Sequence, residues 1–444
     1  MDKFFKLGDR NTSVKTEIIA GLTTFMTMAY VLAVRAAAER GLPAAICGGE
    51  QFIVDASGVV ISKSAIMITC ALLSGIVTLF MSLYTNLPFA LSTGMGSNFV
   101  LGALIQSQAI SFGTAMAIVL VSGIVFVLLT VLGLRGLIVR VIPKNIKVAI
   151  SASIGFFIAY LGFKDSGIGS FASGISMGDL TNPAVLLAVF GLILIIVLNT
   201  LKVNGAILIS IIAVTIIGIP VGVTKLTAVA SVPDFSTLGN VIFNLDFHGV
   251  FTASGLILVF VCFFGDFFST LGTVLAVGNR AGMLDENGNL PGIERPFLVD
   301  AIGTCVGALT GNTTITTYVE STSGVEAGGR TGLTSMTTGI MFLLTVFLAP
   351  LFVSIPSCAT GPALIYVGFL MLKGFGDIDF SEFDECIGPC VMLMFTAFTG
   401  SITNGMGAGI IVHVIAKLAK GRAKDIHPIM YVICALMVVY FIVG

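Results

Sequence analysis

Asp266 stands seventeen residues into a strongly apolar run, with Ser269, Thr270 and Thr273 following at helical spacing. On a helix these positions share one side, so they form a polar stripe headed by a carboxylate. Glu320 sits at the break of a second, glycine-rich segment and Asn98 at the break of a third. A carboxylate inside an apolar run is costly and by default marks a ligand or proton site. Carboxylates accept hydrogen bonds from N–H groups, whereas an amide both donates and accepts. Asp266 and Glu320 are therefore candidates to bind a ligand or to carry a proton, with Asn98 beside them. Tyr318 and Phe99, beside the breaks, could stack on a flat ring. Thr23 and Thr27 could add hydroxyls, although threonines and amides also serve helix packing.

Other polar residues offer less. Glu294, Arg295 and Asp300 read as interfacial, at the cytoplasmic end of their run. Cys386 and Cys390 are four apart with no histidine or third cysteine nearby, and the Asp285–Gly288 turn lacks the later ligands of a calcium loop. No metal and no cofactor is expected. An intramembrane enzyme is not expected either, because the acids lie in unlike segments with no Ser/His set beside them.

The elements that must position these groups follow from composition. The chain has 444 residues, 56% hydrophobic and only 10% charged, with a net charge of −1 and a mean hydropathy of +1.06. A soluble domain carries roughly 25% charge, so this chain must be dissolved in a lipid bilayer. No basic patch is available to meet phosphates, which excludes nucleic-acid binding as a main activity. Eight scattered cysteines, four of them inside apolar runs, exclude a disulfide scaffold. No small-residue cleavage site follows the first apolar run, so no cleavable signal is expected.

A spanning helix needs about 20 apolar residues. Runs at about 16–38, 64–84, 89–107, 114–134, 146–163, 182–200, 204–222, 249–278, 297–311, 313–327, 332–354, 359–373, 383–400 and 403–420 supply fourteen spans. A last run, 427–443, is either a further span or an interfacial helix. With the N-terminus in the cytoplasm, 17 of the 22 Lys and Arg residues fall inside, as the positive-inside rule requires.

Fourteen is twice seven, and a seven-span unit repeated in tandem inserts with opposite topology. Gly21–Val34 echoes Phe264–Val277, with Thr23 opposite Asp266 and Thr27 opposite Thr270. Ser153–Phe157 echoes Tyr366–Leu370, and Val203–Gly205 echoes Thr403–Gly405, in the same order. Two inverted repeats are therefore expected. The third and tenth runs occupy corresponding places, and both are too rich in glycine and polar residues for plain helices. Thr313–Val319 has strand character, which cannot face lipid with its backbone unpaired. The two segments are expected to pair as short strands, each continuing into a half-helix. Two converging helix N-termini offer N–H donors to carbonyl oxygens, ring nitrogens or an anion.

At these residues the chain resembles a known family. Gly94–Asn98 (GMGSN), Phe264–Thr273 (FGDFFSTLGT), Thr316–Thr334 and the opening FKLGDRNTSVKTEIIAGLTTFMTMAY resemble the purine permeases of the nucleobase–ascorbate transporter superfamily, most nearly its adenine/guanine/hypoxanthine branch. The resemblance runs end to end. It implies an all-α membrane protein of fourteen spans in two inverted repeats, with a substrate-holding core domain (16–134 and 249–354) and a gate domain (135–222 and 355–444) that commonly dimerises. It also implies that Asp266 and Glu320 match the family's two substrate-binding acids, that Asn98 matches its third-span amide, and that Tyr318 or Val319 is the neighbour of the second acid. Many members carry a further acid three residues after the first, where this chain has Ser269. The implied activity is import of hypoxanthine and guanine, with adenine as a further candidate, across the plasma or inner membrane. Proton symport is favoured over Na⁺. A uracil, xanthine or ascorbate permease of the same fold, or an anion carrier, is the alternative.

Overall fold

The computed structural model describes residues 2–29, 31–32, 52–133, 143–170, 176–201, 203, 205–224, 233, 235–285, 290–348, 351, 354–372, 375–376, 378, 380–400 and 402–443. Helices dominate. In chain order they are α1 (Asp2–Phe5), α2 (Val14–Met28), α3 (Lys63–Thr85), α4 (Met95–Gln106), α5 (Phe112–Val131), α6 (Lys144–Asp165), α7 (Pro183–Thr200) and α8 (Ala206–Gly218). There follow α9 (Ala253–Arg280), α10 (Glu294–Leu309), α11 (Ser321–Glu326), α12 (Gly332–Leu344), α13 (Ser357–Leu372), α14 (Phe383–Thr399), α15 (Ile402–Ala419) and α16 (Pro428–Val443). Side-chain oxygens open several of them. Ser13, Ser111, Asn182, Thr252 and Thr331 each accept a backbone N–H of the first turn of α2, α5, α7, α9 and α12, which satisfies donors that a helix start leaves open.

Among the described residues, Ser64–Thr85, Phe112–Val131, Val148–Asp165, Pro183–Thr200 and Ser254–Arg280 are long and apolar enough to cross a bilayer, and several apolar helices are shorter. The outward side of α7 carries Leu186, Ile193, Ile196 and Val197, all exposed. Such a surface belongs in lipid.

The helices pack in two sets. In one, α12 lies against α2 and α3, α10 against α5 and α3, and α9 against α5. In the other, α13 lies against α6 and α7, α14 against α6 and α15, and α16 against α15. Glycines bring α6 and α13 together at backbone distance. A Cβ on Gly162 would fall 2.7 Å from the Gly361 carbonyl, and one on Gly368 would fall 2.4 Å from the Gly155 carbonyl. Without a hydrophobic drive between helices in lipid, such small-residue crossings supply close van der Waals packing.

Among the described residues there are three two-stranded antiparallel ladders: β1 (Phe52–Val54) with β2 (Val60–Ser62), β4 (Gly169–Ser170) with β5 (Ser176–Met177), and β3 (Leu91–Thr93) with β6 (Ile315–Thr317). The amino-terminal segment is fastened to the first helix set. Phe5 and Leu7 are buried against Leu333. The Asn86 amide donates to the Phe5 carbonyl, and the Arg10 guanidinium donates to the carbonyls of Asn86 and Arg330.

Candidate functional site

The third and tenth apolar runs do pair, more than 220 residues apart in the chain: Leu91 faces Thr317, Ser92 faces Thr316 and Thr93 faces Ile315. Every residue of both strands is buried. The ladder extends through Gly94 N–H to the Thr314 carbonyl and Tyr318 N–H to the Ala90 carbonyl. A two-stranded ladder still has two outer edges, whose backbone groups need partners away from water. One threonine serves each edge. Thr78 on α3 accepts the Leu91 N–H at 3.0 Å and donates to the Leu91 carbonyl at 3.1 Å. Thr304 on α10 accepts the Ile315 N–H at 2.9 Å, with the Ile315 carbonyl 3.2 Å from its hydroxyl. Gly303 and Gly307 let α10 lie this close: a Cβ on Gly307 would stand 2.7 Å from the Thr313 carbonyl.

Asp266 is buried on α9 and accepts a hydrogen bond from Thr304 at 2.9 Å. One turn further along α9, Thr270 donates to Asp300 at 2.5 Å and meets the Thr316 hydroxyl at 2.9 Å. Asp266 with Thr304 and Thr270 with Asp300 thus form a reciprocal acid–hydroxyl ladder between two helices, with β6 against it. Ser269 lies 3.5 Å from the Thr316 hydroxyl, at the edge of this network. Asp300 is fully buried, which corrects its interfacial reading. The signal was present in the sequence: Asp266/Thr270 and Asp300/Thr304 share one four-residue spacing, which puts each pair on one helix face.

Asn98 is buried in the first turn of α4, and its side-chain oxygen accepts from the Thr313 hydroxyl. The neighbouring Ser97 and Thr314 hydroxyls are 2.7 Å apart. Asn98 and Asp266 are therefore tied to the same segment, Asn98 through Thr313 just before β6 and Asp266 through Thr304 at Ile315. Glu320 immediately precedes α11 and is 7% exposed. The Ser323 hydroxyl donates to the Glu320 carbonyl at 2.6 Å and lies 3.0 Å from the Thr27 hydroxyl on α2. Thr27 thus reaches the start of α11. Thr23 donates to the Ile19 carbonyl of its own helix. Tyr318 is buried and its hydroxyl donates to the Thr93 carbonyl at 2.6 Å, bracing β6 against β3. The Phe99 side chain lies outside the described residues.

Sequence reasoning passed over Glu17. This α2 residue has no exposed surface, and its carboxylate accepts N–H groups of Arg330, Thr331 and Thr334 at 2.8, 3.2 and 3.1 Å, plus the Thr334 hydroxyl at 2.6 Å. It thereby closes the start of α12 just after α11 ends. Gly324 allows the approach: a Cβ there would stand 2.8 Å from the Ala20 carbonyl and still nearer the Thr24 hydroxyl.

Apolar helices around two broken segments that pair in the interior, with carboxylates and hydroxyls gathered against the pair, define the membrane domain of a solute transporter. The permease-family profile matches residues 15–406, and the chain belongs to that family. It is a multi-pass membrane transporter and not an enzyme. It is 35% identical over 448 residues to the guanine/hypoxanthine permease PbuG of Bacillus subtilis, covering 100% of this chain and 99% of that protein. It is 33% identical over 439 residues to the adenine permease AdeQ of Escherichia coli, covering 98% and 95%. Among solved structures, the transmembrane domain of the cyanobacterial bicarbonate transporter BicA superposes with a TM-score of 0.59 over 89% of this chain and 97% of that one. At 16% identity, that likeness is one of fold.

Proposed function

We propose that the protein imports purine nucleobases, hypoxanthine and guanine with adenine as a further candidate, by proton symport across the plasma or inner membrane. The observation that carries this reading is the β3–β6 pair, whose buried second segment ties Asn98, through Thr313, and Asp266, through Thr304, with Glu320 three residues beyond the end of β6. A neutral purine presents N–H donors and carbonyl or ring-nitrogen acceptors on one edge. Glu320 meets the N–H groups, and Asn98 with backbone N–H groups at the start of α4 meets the acceptors. Asp266 carries the coupling proton, since a buried acid in a membrane is a proton carrier by default, and Asp300 shares its hydroxyl network. Relatives named as guanine/hypoxanthine and adenine permeases, similar over nearly the whole chain, support the substrate class.

The helix set of α2–α5 and α9–α12 is the core domain that holds the purine, and the set of α6–α8 and α13–α16 is the gate. These correspond to residues 16–134 with 249–354 and 135–222 with 355–444. In this reading the fourteen spans form two inverted repeats. Support comes from the antiparallel pairing of β3 with β6 and from matching threonine caps at Thr78 and Thr304. Neutralising Asp266 lowers the cost of carrying the loaded core through the bilayer in an elevator movement, so proton and purine travel together. The N-terminus is cytoplasmic, and the gate faces of two copies form a homodimer.

The test is uptake of labelled hypoxanthine into cells lacking their own purine permeases, with excess unlabelled guanine, adenine, xanthine or uracil, and with or without a protonophore. Uptake blocked by guanine or adenine and abolished by the protonophore is expected. Block by uracil or xanthine alone overturns the substrate assignment, and uptake indifferent to the protonophore overturns the proton coupling. Glu320→Gln is expected to weaken or re-rank the competing purines, and Asp266→Asn to remove the pH dependence of uptake. Unaltered selectivity or an unaltered pH profile rejects the respective role.

A further inference from the structure

The two strand-capping threonines are alike in one respect and unlike in another. Each accepts the N–H of an edge residue and lies within hydrogen-bond reach of the same residue's carbonyl. Among the described residues, Thr78 serves only that backbone. Thr304 has a second acceptor, the Asp266 carboxylate at 2.9 Å, against the Ile315 carbonyl at 3.2 Å. A hydroxyl has one hydrogen to give. While Asp266 is ionised, the charge-assisted bond is the stronger and takes that hydrogen. Once Asp266 holds a proton, the advantage ends and the Ile315 carbonyl competes on equal terms.

We propose that Thr304 is a positioning residue that reports the proton on Asp266 to the β6 strand, and through it to the purine contacts. Ile315 lies two residues after Thr313, whose hydroxyl holds the Asn98 side chain. A change in the bond to Ile315 is therefore delivered next to the group that meets the purine. Thr78 sits at the other edge of the same ladder and, among the described residues, bonds to no acid, so it caps without reporting. The inference rests on the purine–proton reading above and adds to it the path by which the two cargoes feel one another.

The titratable groups nearest Asp266 that feel its charge are Cys262 on its own helix and Asp300 and Cys305 on α10. Of the other elements packed against α9, α4, α5 and β6 carry no titratable side chain. Glu320 precedes and Glu326 ends α11, α6 carries Tyr160 besides the lysines and Asp165 in its end turns, and α16 brings tyrosines and Cys434. All of these stay unchanged when Thr304 alone is altered.

The experiment measures hypoxanthine uptake against external pH, with KM and maximal rate at each pH, for the full-length wild type and for Thr304→Val, Thr304→Ser and Thr78→Val. Valine keeps the shape and removes the hydroxyl. Removing a donor that favours ionised Asp266 moves the half-point of the pH profile to higher pH, by about one unit for one charge-assisted hydrogen bond. The purine KM of Thr304→Val loses most of its pH dependence, and Thr304→Ser restores the wild-type profile. Thr78→Val loses the matching backbone cap, so its rate falls while its pH half-point stays in place. Thr304→Cys, with a weak S–H donor, gives the same readout in a second background, so the test stands if the valine variant fails to reach the membrane. Equal behaviour of the Thr304 and Thr78 variants, with the half-point unmoved in an active wild type, overturns the inference and leaves the purine reading intact. A wild type that takes up no purine overturns both.

Discussion

Replacing Glu17 tests whether one buried carboxylate holds the start of α12 in place. Four hydrogen bonds converge on it, three from backbone N–H groups of residues 330–334 and one from the Thr334 hydroxyl. A hydrogen bond to a charged group contributes about 1.5–3 kcal/mol, and a buried donor left without an acceptor costs about 1–3 kcal/mol. These terms overlap, and replacing a helix cap by alanine costs about 0.5–2 kcal/mol. Glu17→Ala should therefore destabilise by about 4 kcal/mol, since three backbone donors lose their acceptor together. Glu17→Gln is milder. Oε2 takes three of the four bonds and Oε1 only that of Arg330. A glutamine oriented with its oxygen at the Oε2 position loses one bond, about 1.5–2 kcal/mol. The assay is heat-induced loss of the monodisperse peak in detergent, followed by size-exclusion chromatography. The expected order of midpoints is wild type, Glu17→Gln, Glu17→Ala. An alanine variant as stable as wild type, or a glutamine variant as unstable as alanine, refutes the reasoning.

Gly324→Ala places a Cβ against the Ala20 carbonyl at 2.8 Å, and overpacking of this kind costs about 1–3 kcal/mol. It should raise the purine KM by displacing Glu320, and an unchanged KM counts against that position for the acid. Tyr318→Phe removes one hydrogen bond, to the Thr93 carbonyl, at a cost of about 1 kcal/mol. Uptake should survive it, whereas Tyr318→Ala, which also removes the ring, should abolish uptake; loss in both would assign the role to the hydroxyl. Asp55 pins the β1–β2 hairpin to the start of α5 by accepting N–H groups of Ser57, Val59 and Phe112 and the Ser57 hydroxyl. Burial alone would raise its pKa, but these bonds overcome it and hold the carboxyl below its ordinary value. Its stabilising contribution is therefore fully present above the unfolded value of about 3.9 and is lost only as the pH falls through the lowered one. Limited proteolysis of the hairpin should be slow at pH 7 and accelerate only below about pH 4, while Asp55→Asn should be cut readily at both; equal rates for both proteins at pH 7 would refute this.

Much of the architecture was legible because membrane burial writes strong signals. An apolar run long enough to cross a bilayer has few other readings, and a Thr/Ile stretch such as Thr313–Thr317 inside one has to find a strand partner. The pairing of that stretch with Leu91–Thr93 follows from backbone accounting, and the structure has it. Asp266, Asn98 and Glu320 stood out because a polar residue amid apolar ones is conspicuous. Asp300 did not, for it comes only six residues after Glu294 and five after Arg295, so its neighbours suggested water. Glu17 was hidden for the same reason: an acid in the first turn of a helix is the usual complement to the helix dipole. Its true partners lie more than 310 residues away. The capping roles of Thr78 and Thr304 were illegible as well, because a threonine on a buried helix carries no mark of which strand edge it will meet.

The fastening of the amino-terminal segment makes the first residues a handle on one body of the protein. Phe5, Leu7 and Arg10 are anchored to the ends of α3 and α12, while Phe4 beside them is 56% exposed. A fluorophore placed at position 4 will be carried rigidly with those helices. A second dye on the exposed Lys424 turn, between α15 and α16, will be carried with the other set. Energy transfer between the two then reads out any displacement of one set against the other in real time, without a label near the buried acids.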